Sequence, residues 1–367
     1  MICFYPLPAS PRDTGLKSKR RYPLVGKRER LADLLFKTRL IAILSRFAGH
    51  NKLVILNYHR IRPASATAST PFDDGVLTVS EDQFFRQMTW LKRHTRVLSE
   101  KELIDKILTN NYQKSNRPSV VITFDDGYHD NYSIAYPILK SLQIPAIFFI
   151  STEMIWERKL CWWDVLAYLI KQCRKPSIVI DNHEYTLQNN RMQMIEDFQL
   201  PMKEYPCGRI REELRLISEA TEIDLPSDEI QDRELMTRDQ IREMAAHQMT
   251  IGSHAHTHQA LSCLDECEHE AELMVSKQLL EQTTGEAVRS VSYPFGRYQY
   301  IPSSIQDVAR KCGYQLGFTS NFGVNYMSNI GNMALKRFSG ELEKVSTVSL
   351  ITVWPELFAS KEDSFLI

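Results

Sequence analysis

The 367 residues predict an α/β fold built on a parallel sheet, open or closed into a barrel. Three observations carry this. Apolar, β-branched runs of strand length recur from residue 53 onward, and segments with helical spacing separate many of them. The residues able to do chemistry collect just after the runs, at the carboxyl ends of strands, where parallel α/β folds place their sites.

In chain order the first run is LVILNY, which ends at His59 with Arg60 and Arg62 on either side of Ile61. SEDQFFRQMTWLKRH follows with the spacing of an amphipathic helix and Ser80 as its N-cap. SVVITF is the second strand. DNYSIAYPILKSLQ is helical and leads through Ile144-Pro145 into AIFFIS, the third. Residues 155 to about 235 break this rhythm: WWDVLAYLIKQC and EELRLISEATEI are helical around a polar middle, which reads as an insertion or a cap over one end of the fold. The helical TRDQIREMAAHQ then precedes MTIGS, and SVSYPF, LGFTS and ALKRF complete the strands. ASATAST, followed by Pro71, is a loop signal.

A formal net charge of zero, from 45 basic and 45 acidic residues, gives no global argument for a nucleic-acid partner. Seven scattered cysteines without a Cys-x-x-Cys match neither a disulfide framework nor a zinc finger, and read as reduced thiols. The first residues carry prolines and charges where a secretory signal needs an apolar core, so the expected location is cytoplasmic. A basic stretch, LKSKRRYPLVGKRER, runs into LADLLFKTRLIAILSRFAG, whose leucines and isoleucines recur at near-helical spacing. Such a helix packs on its own domain or lies peripherally on the inner membrane face, through residues 16–48. The expected organisation is a basic extension over 1–50, a catalytic domain over 51–345 and a C-terminal tail over 346–367.

SVVITFDDGYHDN is the most informative stretch. A buried strand ends at Asp125-Asp126-Gly127, and two adjacent buried carboxylates require a cation or donors to compensate them. GSHAHTH emerges at another strand end. His254 and His258 are four apart, so on one helical turn or in a tight loop their rings converge while His256 points elsewhere. Two neutral imidazoles with one carboxylate, Asp126 or Asp125, form a set used by zinc and ferrous iron, and the other aspartate is then free to act as a base. In SYPFG a backbone N–H near Phe295 can meet a developing oxyanion, and His59 is placed to act as a general acid.

TFDDG, SHAHTH and YPFG, in that order, resemble the polysaccharide deacetylase family with the NodB-homology domain, over roughly residues 50 to 340. The resemblance implies a distorted (β/α) barrel, a divalent metal that is usually zinc, and removal of N-acetyl groups from amino-sugar glycans. It implies Asp125 as base, Asp126, His254 and His258 as metal ligands, and the Phe295 N–H in the oxyanion hole. Apart from the resemblance, Trp156, Trp162 and Trp163 of the insertion offer aromatic faces for sugars or serve as core anchors of the cap, with Trp163 and Tyr293 the candidate substrate contacts. Three departures stand out. Ala255 replaces the usual Ser or Thr. Ser292 replaces the arginine that pairs with the catalytic aspartate, leaving Arg289 or Arg337 to supply the charge. No Leu-x-His motif follows YPFG; LNYHRI ahead of TFDDG resembles instead the circularly permuted branch typified by biofilm poly-N-acetylglucosamine deacetylases, which implies His59 as the acid. Deformylation or deacetylation of a lipid-linked sugar, O-acetyl ester hydrolysis and silent glycan binding are the rival readings.

Overall fold

The computed structural model describes residues 26–48, 51–63, 70–76, 79–109 and 116–359. Its centre is a curled parallel sheet: β1 (Lys52–Tyr58), β2 (Ser119–Phe124), β3 (Ile147–Ile150), β4 (Thr250–Ser253), β5 (Ser290–Ser292), β6 (Leu316–Phe318) and β7 (Phe338–Ser339). The order across the sheet is β6-β5-β4-β3-β2-β1, and β7 lies parallel to β1 with Leu56 opposite Phe338. A parallel bridge joins Phe318 to Leu335, so residues 335–339 span from β6 back to β1 and close a distorted barrel. The register pairs Tyr58 with Phe124, Phe124 with Phe148, Ile150 with Ser253 and Ser292 with Phe318, which brings the carboxyl ends to one rim.

Strands buried on both faces are apolar throughout, and the two faces separate by alternation. Leu53, Ile55, Val121, Ile147, Phe149, Leu316 and Phe318 form the barrel interior, whereas Val54, Leu56, Val120, Ile122, Phe148 and Ile150 pack outward against helices. Gly252 faces Phe149; a Cβ there would lie 2.5 Å from its ring, so the interior is filled across to β4 only because that position is glycine.

ALKRF, expected as a full strand, pairs as β7 only through Phe338 and Ser339, because Arg337 ahead of them is turned to polar partners at the rim. The insertion is mostly helical, Trp162–Gln172, Arg191–Met202 and Cys207–Thr221, but it also carries a hairpin of Ser177–Ile180 with His183–Thr186 that the sequence pattern did not reveal. Within the stretch expected as a C-terminal tail lies the helix Val345–Val353, buried from Ser346 onward and in contact with the helices Glu81–His94 and Lys27–Lys37. VSTVSLITV has no polar face to give to solvent beyond small hydroxyls, so it packs.

Candidate active site

The interior is apolar at its base and polar at the rim, because Asn57, Thr123 and Asp125 continue the inward parity of Leu53, Ile55 and Val121. Asp125 extends β2 by one residue, its N–H donating to the Tyr58 carbonyl (2.9 Å), and its side chain is 2% exposed. Arg337, 1% exposed, forks onto it: Nη1 lies 2.9 Å from Oδ1 and Nη2 2.8 Å from Oδ2. Asn57 donates to Oδ2 (3.0 Å), and the remaining Arg337 donors reach the Asn57 side-chain oxygen, the Thr319 carbonyl and Ser292 Oγ. Burial alone would raise this carboxyl; the Arg337 guanidinium, joined by His254 and His59, outweighs it and holds the pKa at about 2. Arg337 therefore supplies the charge missing at Ser292. Arg289, the other candidate, immediately precedes β5 and so lies at the opposite end of the barrel.

Asp126, His254 and His258 converge, all three buried, with one ligand atom from each lying within 4.8 Å of the others. Asp126 Oδ1 is 3.4 Å from His254 Nε2 and 3.3 Å from His258 Nε2, and the two imidazole nitrogens are 3.2 Å apart. The convergence is made by a tight loop, not a helix, with Ala255 (φ 62°) and His258 (φ 55°) in left-handed conformations. Asp126 (φ 80°) and Phe295 (φ 57°) share this conformation, a concentration of backbone strain that only an over-determined site sustains. The loop is pinned by Glu272, whose Oε1 accepts the N–H groups of His256 (2.8 Å) and Thr257 (2.6 Å). His256 turns aside to Thr152 Oγ1 (2.9 Å).

These residues fit a metal ion. His254 Nδ1 sits 2.7 Å from the Ser292 carbonyl and so carries the proton, leaving a bare lone pair on Nε2 aimed at a carboxylate oxygen. Burial favours the neutral form of His258. Acceptors gathered 3.2–3.4 Å apart repel unless a cation lies among them, and these spacings match the edge of about 3.3 Å for a tetrahedral zinc site with bonds of about 2.0–2.1 Å.

His59 continues β1. Its Nδ1 lies 3.0 Å from Glu341 Oε1, which also accepts the His59 backbone N–H (2.7 Å), and its Nε2 lies 4.0 Å from Asp125 Oδ2. Burial disfavours its charge, but Glu341, followed by the two aspartates, outweighs this and raises the pKa to about 10, so the ring is protonated at neutral pH.

The Phe295 ring packs on His258 at 5.1 Å, and among the described residues its N–H has no backbone acceptor. Tyr293 is not a substrate contact: it is fully buried and its hydroxyl donates to the Met333 carbonyl (3.1 Å), since the residue before Pro294 still follows the strand into the core. Trp163 borders the site as a wall. Its ring stands edge-on to His258 at 4.8 Å, it is only 8% exposed, and its indole N–H donates to Tyr128 Oη (3.0 Å). Tyr128 in turn donates to Asp164 (2.7 Å), fastening the insertion to the loop that follows Asp126. Glu341, Asn57 and Glu272 carry no motif. The one signal for them was Asn57, a polar residue inside an otherwise apolar run.

A parallel barrel whose rim joins an Asp-His-His cluster able to hold a metal ion to an arginine-clamped carboxylate defines a class of (β/α) barrel proteins. The comparisons with known proteins narrow it. The family model for polysaccharide deacetylase matches residues 112–222 and 218–317, more than half of the chain, and the chain belongs to that family. YxkH of Bacillus subtilis (strain 168), which carries the family's name, is 25% identical over 273 residues, 74% of this chain and 66% of that protein. The poly-β-1,6-N-acetyl-D-glucosamine N-deacetylase of Staphylococcus aureus (strain MSSA476) is 32% identical over 148 residues, 38% of this chain and 50% of that protein. The chain thus spans about half to two-thirds of the length of these relatives. In fold it is similar to the Streptococcus pyogenes deacetylase PplD (TM-score 0.54, 21% identity, covering 82% of this chain and 97% of that one). It is also similar to IcaB from Ammonifex degensii (TM-score 0.53, 17% identity, 83% and 97%).

Proposed function

We propose that this protein is a metal-dependent hydrolase that removes N-acetyl groups from an N-acetylglucosamine-containing polysaccharide. The observation that carries the reading is Asp125, kept ionised by the Arg337 fork immediately beside the Asp126, His254 and His258 ligand set. The named activity of the Staphylococcus aureus relative supports the choice of substrate.

Asp126, His254 and His258 would hold the ion, zinc by the choice of two imidazoles and a carboxylate. When bound, a divalent ion polarises the acyl oxygen and lowers the pKa of water. Asp125 takes the proton from the attacking water; Arg337 and Asn57 fix its orientation. The Phe295 N–H donates to the oxyanion as the carbonyl carbon becomes tetrahedral. His59, protonated and steadied by Glu341, delivers a proton to the departing amine. The catalytic unit runs from about residue 51 to about 345, since His59 near one end and Glu341 near the other meet in the site.

The test is acetate release from N-acetylglucosamine oligomers by zinc-loaded protein, alongside O-acetyl xylan and lipid-linked amino sugars. Asp125→Asn is expected to lower turnover about a hundredfold or more with bound zinc unchanged, and His258→Ala to lose both. Acetate from the xylan or lipid-linked substrate alone, or equal metal loss in both variants, would overturn the reading.

A further inference from the structure

We infer that the paired helices Lys27–Lys37 and Leu40–Leu44 form a docking surface for an anionic lipid bilayer. Seven of the sixteen exposed large apolar side chains among the described residues fall within positions 31–47. Leu34 is 59% exposed, Ile43 52% and Phe47 68%, and Leu31, Leu40 and Leu44, three or four positions from one of these, are exposed as well. Single exposed apolar residues are ordinary on a protein surface; a run of this density is a patch that a partner covers.

The two helices already have an inner side. Ala32, Ile41 and Ser45 are buried, and both helices pack on Val345–Val353. Arg39, in a left-handed conformation (φ 58°), breaks the segment into two short helices lying along the domain. No helix among the described residues is long and apolar enough to cross a membrane, so a lipid contact made here lies in the interface plane.

Charge selects the partner. Lys27, Arg30, Lys37, Arg39 and Arg46 are exposed, whereas the two acidic residues, Glu29 and Asp33, are turned to Lys344 at 3.6 Å and 3.0 Å. Lys17, Lys19, Arg20 and Arg21 precede them in the sequence. A second copy of the chain would set this positive surface against itself, whereas an anionic leaflet neutralises it while the apolar side chains enter the acyl boundary. Apolar insertion and a polybasic segment together are the two signals that stable peripheral attachment needs.

The experiment is sedimentation of the full chain with phosphatidylcholine vesicles, with and without phosphatidylglycerol, at low and high salt. Binding is expected only with phosphatidylglycerol, weakening at least tenfold at high salt. Combined Leu34→Ser, Ile43→Ser and Phe47→Ser should lower partitioning at least a hundredfold, and combined Arg30→Gln, Lys37→Gln and Arg46→Gln at least tenfold. Acetate release from a soluble oligomer should be unchanged in both variants, so failure of docking and failure of the hydrolase reading are read separately. Partitioning that survives the apolar substitutions, or that is equal on neutral vesicles, overturns the inference. A dimer that the apolar substitutions dissolve, with no vesicle binding, overturns it in favour of self-association.

Discussion

Arg337→Met removes one half of a fully buried ion pair while keeping most of the side-chain volume. Two donors to Asp125 and those to Asn57, Thr319 and Ser292 are lost together, and removing one partner of such a pair costs about 3–5 kcal/mol. The cost is tied to pH. In the native protein the Asp125 pKa, about 2, lies below its unfolded value, so its contribution is present above pH 4 and is lost as pH falls toward 2. The distance from an ordinary aspartate's 3.8 down to about 2 corresponds to about 2 kcal/mol. Without Arg337, burial is left as the main influence and the folded pKa rises above the unfolded one. The sign then inverts, and stability falls as pH rises. Urea unfolding of chelator-treated protein between pH 3 and 7 measures this: the gap between native and variant should widen by at least 2 kcal/mol across the range. Asp125→Asn in the Arg337→Met background should close most of that gap, since the carboxylate left without its counter-charge is gone. A gap that is constant with pH and unaffected by Asp125→Asn would refute the assignment of Arg337 as the counter-charge.

Two further outcomes are expected. Glu341→Gln removes the main influence holding the His59 pKa at about 10, so the alkaline limb of the kcat/KM profile should move toward neutral pH with zinc content unchanged; an unmoved limb would exclude His59 as the acid. Asp164 is raised to about 6 chiefly by burial, so it contributes most below pH 4 and its contribution is lost as pH rises to 6. Asp164→Asn should abolish this decline of about 3 kcal/mol in urea unfolding, and an unchanged slope would place the titration elsewhere.

The strands could be read because burial on both faces forces continuous apolar runs, and the site because its ligands leave those strands within a few residues of their ends. The choice between Arg289 and Arg337 needed the closed barrel, since sequence distance does not tell which rim a residue occupies. Glu341 was silent for a related reason. It acts through His59, 282 positions away, and an acid two residues beyond a strand resembles any surface glutamate. Tyr293 belongs to the YPFG motif, yet strand alternation sends its ring into the core, so membership of the motif does not place a side chain against substrate.

The segment that closes the barrel also carries the counter-charge, and this orders events during synthesis. Residues 335–339 leave the ribosome more than two hundred positions after Asp125. Until they arrive the sheet has an open edge and Asp125 has no guanidinium, so burying that carboxylate is opposed by its desolvation. Closure of the barrel and completion of the reaction centre are therefore one late event, and a chain shortened before Leu335 lacks both.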